Sequence, residues 1–378
     1  MIFEPTVVTL AQERELRWLG RLLVPGLLDG EHAFRLEERA GGCWLHQTER
    51  FSGNGSSLWV LSRYRLCPAR GRGKGMAEQP RSLPELEARF PDEAACARWL
   101  LEKRWPEGFR CPACGHDKAW ELGRERLTVQ CAACERQVSV TAGTALHGSH
   151  LPLRTWFLAA WLVATHKNGM SARQLWRQLG LGSYKSAWLL LRKLRRAMVD
   201  PEREPLAGLV EVDETSLPFR AGDEPVRPGR SHEGKLPIAG AVEIEGKGPG
   251  RIRLAVLGDY SAASLGGFVA GNVAEGSTVV SDGWSGHARL KDVKHDPKVV
   301  GETPAHLVLP WIHRVFANAK RWALGVYHGL REKHRQAYLD EFVFRFNRRR
   351  TPHAAFERLL GLGLTLEPAT YQMLVSRN

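Results

Sequence analysis

Two C-x-x-C pairs, Cys111 with Cys114 and Cys131 with Cys134, stand sixteen residues apart and constrain this chain more than any other stretch. A tight turn carrying two thiolates aims both at one point, and a second such turn at this distance returns two more. Four sulfurs so placed close a tetrahedral zinc site. The spacing predicts a zinc ribbon over residues 109–145, with Gly115 allowing the first turn and residues 127–130 and 137–141 as ribbon strands. Because four cysteines fill the shell, the zinc is structural and folding is coupled to its binding, which leaves His116 as a surface residue. Cys43, Cys67 and Cys96 are scattered and read as reduced thiols.

The formal charge of +13 and pI near 9.7 favour a polyanionic partner. No apolar run reaches the 18 or so residues a bilayer span needs, and nothing resembles an export signal, so a cytoplasmic, nucleoid-associated protein without membrane contact is expected. Residues 1–53 read as a helix over 10–23, then a hairpin of 31–39 with 43–51 across Gly41 and Gly42. The wording of 22–26, 34–37 and 49–53 resembles part of the START-like (SRPBCC) ligand-binding family, whose sheet wraps a hydrophobic cavity. That resemblance stops near Gly53, so no ligand function is carried over. Residues 54–75 are rich in Gly, Ser and Arg and read as a linker, and Met76 looks like a fresh start, as if an element had fused in frame with a host gene.

Residues 76–108 form an N-terminal helical segment, with one helix over 82–103. Beyond the ribbon, 150–200 reads as a helix-turn-helix: a buried helix over 153–166, a short helix capped by Ser171, a turn at Gly180 and Gly182, and a helix capped by Ser183. That last helix carries Lys185, Arg192, Lys193, Arg195 and Arg196, a basic face suited to DNA, while Ala187, Leu190, Leu191 and Leu194 turn inward.

From residue 206 to 362 the texture is that of an α/β domain. Strands are expected at 209–215, 236–245, 251–257 and 278–281, with a loop over 216–235 and a helix over 262–269 before the fourth strand. Three antiparallel strands, a helix, then a strand parallel to the first is the order of a ribonuclease-H-like mixed sheet. It would set Asp213 beside Asp282, and two carboxylates on neighbouring strands can hold a pair of divalent ions. Alternation sends Glu211 to the face of Asp213 and Glu214 to the other.

Residues 76 to about 362 resemble the zinc-ribbon-headed DDE transposases of bacterial insertion sequences, the ISXO-like group, on Cys111 to Gly115, 210–215, 280–284, 320–329 and 338–349. The resemblance implies a multidomain α/β enzyme that cleaves transposon ends in double-stranded DNA and joins the freed 3′ hydroxyl to a target. It further implies a homo-oligomer on DNA, a pair of Mg2+ ions with Mn2+ as substitute, and a structural Zn2+. Asp213 and Asp282 become the first two ligands. The third position departs from the simple pattern: His313 lies seven residues before Lys320 on one helical face, Asn318 has the group precedent, and Glu341 is a further carboxylate. Lys320, Arg321, Arg345, Arg348, Arg349 and Arg350 form a basic group for DNA phosphate near the metals. Residues 363–378 are a tail. A second reading is a transposase-derived DNA-binding regulator that has lost catalysis.

Overall fold

The structure, a computed structural model, describes residues 4–11, 15–21, 29–39, 42–53, 56–66, 79–123, 127–220, 235–287, 290–298, 305–327, 330–331 and 334–375, the first five segments as backbone only. The chain divides into two compact units, Met1–Glu78 and Gln79–Asn378.

The first unit is an antiparallel sheet in sequential order: β1 (Glu4–Ala11), β2 (Glu15–Arg21), β3 (Asp29–Arg39), β4 (Gly42–Gly53) and β5 (Ser56–Leu66). The expected pairing of 31–39 with 43–51 is present as β3 against β4, with Glu38 opposite Cys43. The helix expected over 10–23 is not: Leu10 pairs with Leu16 and Thr6 with Leu19 across two strands. Helical spacing of the leucines competed there with Val7, Val8, Thr9 and Trp18, which suit a pleated surface. The linker expected at 54–75 contains β5, whose run Leu58 to Leu61 pairs with β4, while residues 67–78, including Cys67 and Met76, lie outside the described residues.

The second unit opens with α1 (Leu83–Arg89) and α2 (Glu93–Arg104), two helices where one was expected. Pro91 has no N–H to continue the first and holds Phe90 out of the helical region, and the Asp92 side chain caps the second by accepting from Ala95 N–H at 2.7 Å. The ribbon strands follow as β6 (Ala119–Leu122), β7 (Thr128–Cys131) and β8 (Gln137–Ser139), then α3 (Leu153–Thr165), α4 (Ala172–Gln178) and α5 (Tyr184–Arg196). Ser171 and Ser183 cap α4 and α5 through their hydroxyls, as their positions in the sequence indicate.

The remaining elements are β9 (Leu209–Arg220), β10 (Lys235–Glu245), β11 (Gly248–Val256), α6 (Ala262–Asn272), β12 (Thr278–Ser281), β13 (Lys294–Pro297), α7 (Ala305–Val308), α8 (Pro310–Tyr327), β14 (Leu330–Arg331), α9 (Arg335–Asn347), α10 (Pro352–Thr365) and α11 (Tyr371–Val375). The sheet runs β11-β10-β9-β12-β13, with β14 pairing the far end of β9. β9, β10 and β11 are antiparallel neighbours, whereas β12 lies parallel to β9 and β13 parallel to β12. The expected loop over 216–235 begins later, since β9 continues to Arg220 and residues 221–234 are outside the described residues.

Side-chain alternation splits the sheet into two cores. Ile238, Val242, Leu254 and Val280 pack under α8 and α9, and Val210, Val212, Ala239 and Val279 pack over α6. α10 does not belong to either: Phe356 and Leu359 join Phe90, Trp99 and Phe157 in the core of the N-terminal helices. The end of that helix bonds to the ribbon's neighbour, with Ala145 N–H donating to Gly363 O at 2.9 Å. Residues 352–375, expected to finish the α/β domain and trail away, thus return to the helical part.

Candidate active site and zinc site

The two cysteine turns are closed by matching backbone bonds, Gly115 N–H to Cys111 O at 2.9 Å and Glu135 N–H to Cys131 O at 3.0 Å. Each puts the residue after its second cysteine at positive φ, Gly115 at 74° and Glu135 at 58°. All four sulfurs lie within 4.8 Å of one another, and Cys111–Cys134 and Cys114–Cys131 are each 3.6 Å apart. A tetrahedron with Zn–S near 2.3 Å needs sulfurs about 3.8 Å apart, so the residues fit the ion. Backbone N–H groups of Cys114 and Ala113 pull the Cys111 thiol down to about 6, towards the thiolate a metal binds. His116 stays outside, 4.0 Å from Asp117.

On the sheet, Val280 of β12 pairs with Glu211 of β9. Carrying the same register two residues on sets Asp282 beside Asp213, both on the α8 face by alternation. Asp213 is 5% exposed, and its carboxyl is pushed up to about 7, first by burial and then by the charges of Glu214 and Asp282. Asp282 is only partly buried and accepts the Trp284 N–H through Oδ1 at 3.0 Å.

α8 lies across this face and supplies the rest. His313 Nε2 stands 3.5 Å from Asp213 Oδ2, and Lys320 Nζ donates to Thr215 Oγ1 at 2.8 Å. Burial lowers the Lys320 pKa, and Asp213 partly restores it. Of the candidates for the third position, His313 is therefore the one beside Asp213. Asn318, about 140° around the helix, accepts from Arg321 Nη2 at 2.6 Å on the outer side. Glu341 is fully buried elsewhere, where its Oε2 receives Arg195 Nε at 2.7 Å.

That pair corrects the reading of the basic helix. Arg195 is 3% exposed and also reaches Tyr327 Oη at 2.9 Å, so it ties α5 to α9 and α8 rather than facing DNA. Its neighbours are half-buried and have partners on the protein itself: Arg192 lies over Trp188, Lys193 Nζ donates to His147 O at 2.9 Å, and Arg196 Nη1 to Glu367 O at 3.2 Å. Lys185 is exposed, over the Tyr371 ring at 4.5 Å. The predicted basic group around the metals also disperses. Arg349 donates to Pro249 O and Gly250 O, and Arg350 pairs with Glu245, all at the β10–β11 turn. Glu243 pairs with Val210, three residues before Asp213, and that turn lies beyond it, roughly 15 Å from the carboxylates. Arg348 folds over Phe344 at 4.0 Å, and Arg345 Nη2 donates to His166 O at 2.6 Å.

Three residues matter to the site although the sequence singled them out weakly or not at all. Glu211, 7% exposed, accepts the N–H groups of Trp311 and Ile312 at 2.9 and 2.8 Å and so caps α8. Gly240 pairs with Asp213, and a Cβ there would stand 2.5 Å from Phe316 Cε1; only glycine lets α8 come this close. His287, fully buried, meets Glu214 Oε2 at 3.0 Å and fastens the turn after Asp282 to β9. The acidic residue flanking a strand aspartate was the available signal for Glu211; nothing local marks Gly240 or His287.

Among the described residues, the four cysteines are the one group of three or more ligand side chains converging within 4.8 Å. Asp213, Asp282 and His313 are thus more widely spread than one shared ion requires. Two carboxylates offer the oxygen donors that Mg2+ and Mn2+ take, and His313 adds a nitrogen in place of a third charge.

This mixed sheet, with Asp213 within β9, Asp282 just past the end of the neighbouring β12 and a zinc ribbon ahead of both, is consistent with a ribonuclease-H-like fold. Residues 205–347 match the ISXO2-like transposase domain and residues 91–137 the transposase zinc-ribbon domain. The chain thus carries a domain similar to that of ISXO2-like transposases and, ahead of it, one similar to transposase zinc ribbons. It is also 31% identical over 163 residues to a Halobacterium salinarum protein described as an uncharacterized protein in transposable element ISH50. The match covers 39% of this chain and 54% of that protein, so the chain spans about half the length of the curated relative.

Proposed function

We propose that this protein cuts the ends of an insertion sequence and joins them to target DNA, with Asp213 and Asp282 as the catalytic carboxylates. The observation that supports it most is their placement: adjacent parallel strands, one face, one level, with Asp213 so crowded by burial and like charge that a cation is its natural partner. A pair of Mg2+ or Mn2+ ions, when bound, supplies charge stabilisation and an activated water or 3′ hydroxyl. Asp213 and Asp282 hold the ions, and His313 lies where a third ligand would stand. Lys320, fixed on Thr215, presents a cation to the phosphate being attacked. Glu211 keeps α8 in place over both. The zinc is structural.

DNA is read by the α4–α5 pair, through the side that stays in solvent: Arg173 and Arg177 of α4 with Tyr184 and Lys185 at the start of α5. A homo-oligomer pairs the two ends. A histidine at position 313, where the acidic pattern has a carboxylate, favours a second reading, a regulator that binds ends without cutting. Purified protein is incubated with duplexes from the DNA flanking the gene and Mg2+ or Mn2+. Cleavage and joining abolished by Asp213→Ala and by Asp282→Ala, but kept in Cys96→Ala, support the transposase. Site-specific binding with no cleavage in either metal sinks it and leaves the regulator.

A further inference from the structure

We propose that the outer edge of β11 is a strand-pairing surface for a second copy of this chain, held shut by Gln336 and Asn347 of α9. The inference is independent of the chemistry proposed above. β11 stands at one end of the sheet, with β10 as its neighbour. In an antiparallel pair, alternate residues turn both N–H and C=O away from the partner strand. On β11 these are Ile252, Leu254 and Val256, which lie opposite Val242, Gly240 and Ile238. A row of such groups is a template for another strand.

Side chains of α9 occupy that row instead. Asn347 accepts the Ile252 N–H through Oδ1 at 2.8 Å and returns its own Nδ2 to Ile252 O at 3.2 Å. Gln336 accepts the Val256 N–H through Oε1 at 2.9 Å and gives Nε2 to Leu254 O at 3.1 Å. Asp340 Oδ1 receives the same Nε2 at 2.9 Å, which holds the amide with its oxygen towards Val256. Arg253 Nη1 adds a second donor to Ile252 O at 3.0 Å, and Arg349 Nη1 reaches Gly250 O at 3.3 Å. The helix has the length for this. From Gln336 to Asn347 it advances about 16 Å, against roughly 13 Å from Val256 back to Ile252.

Water would satisfy an open edge without help, whereas pinning a glutamine or asparagine side chain costs it rotamer freedom. What the two residues share is a carboxamide, which offers the same acceptor and donor as a peptide unit of a neighbouring strand. Each takes one N–H and one C=O of β11, yet presents no further ladder beyond itself, so the sheet stops there. The covered surface is self-complementary. Ile252 and Val256 stand symmetrically about Leu254, so two copies of β11 laid antiparallel set Ile252 against Val256 and Leu254 against its own counterpart around a two-fold axis. A second copy is therefore the occupant whose backbone matches the edge.

The test uses full-length protein without DNA. Wild type and the double variant Gln336→Ala with Asn347→Ala are compared by sedimentation and by hydrogen exchange of the β11 peptide, each over a range of protein concentrations. The expected result is a concentration-dependent doubling of mass relative to wild type, with the β11 amides exchanging fast in the lighter species and protected in the heavier. Val256→Pro, added to the double variant, removes an N–H that points away from β10 and should return the mass to that of wild type. Gln336→Ala alone changes an exposed side chain outside the core, and it is read in the same way where the double variant melts too low to study. Mass that stays with wild type at every concentration overturns the proposal. So does association that Val256→Pro leaves intact, because the copies then meet through another surface.

Discussion

Glu211 decides where α8 starts and hence where His313 and Lys320 stand. Burial raises its carboxyl pKa, and the N–H groups of Ile312 and Trp311 draw it back. Glu211→Ala leaves two helix N–H groups without their acceptor at a cost of about 1–3 kcal/mol, whereas Glu211→Gln keeps an acceptor and most of the stability. Thermal melts of the two variants give the comparison, and cleavage rates are expected to follow the same order. At this scale the sequence spoke clearly where chemistry is local. The cysteine turns and the two aspartates of β-branched runs are each written in a few adjacent letters, although β9 runs on past Asp213 to Arg220. Arg195 misled because its partner, Glu341, lies 146 residues away, and an arginine on an amphipathic helix looks the same whether it faces water or a buried acid.

At the scale of elements, the close seating of α8 on β9 and β10 is the feature most open to test. Gly240→Ala pushes a methyl into Phe316 and Ile312, both buried, and should destabilise by about 1–3 kcal/mol while lifting His313 from Asp213. A drop in melting temperature without loss of cleavage would count against this account of the site. The junction of α5 with α9 is the second such feature. Glu341→Ala strands Arg195 in the interior and should destabilise by about 3–5 kcal/mol, measured by denaturant unfolding; Glu341→Gln, retaining an acceptor, should lose less. Gly169 lets the α3–α4 connection pass over this pair, since a Cβ there would come within 2.6 Å of Arg345 Nη1 and 3.0 Å of Glu341 Oε1. The order of the mixed sheet was legible because each strand announces itself by alternation. β5 was not, because its apolar run is flanked by the Gly, Ser and Arg of a linker, and the break at Pro91 was hidden by leucines that keep helical spacing across it.

For the whole molecule, the separation of Met1–Glu78 from Gln79–Asn378 predicts that residues 79–378 expressed alone remain folded and active, as judged by melting and end cleavage. Removing zinc with a chelator should unfold the ribbon, detected as loss of tryptophan signal from Trp120, and should spare the sheet, which shares no core with it. The placement of α10 was beyond sequence reading, since an apolar helix does not say which of two cores it fills.

That placement makes the carboxylate-bearing sheet an interruption within the helical fold: the chain leaves the helices after α5, builds the sheet, and returns only with α10. During synthesis, then, the first helices wait for their last wall until the polypeptide is nearly finished. A prematurely stopped product lacks the last wall of the helical half, which under the function proposed above would keep partial chains from holding DNA ends against the full-length protein.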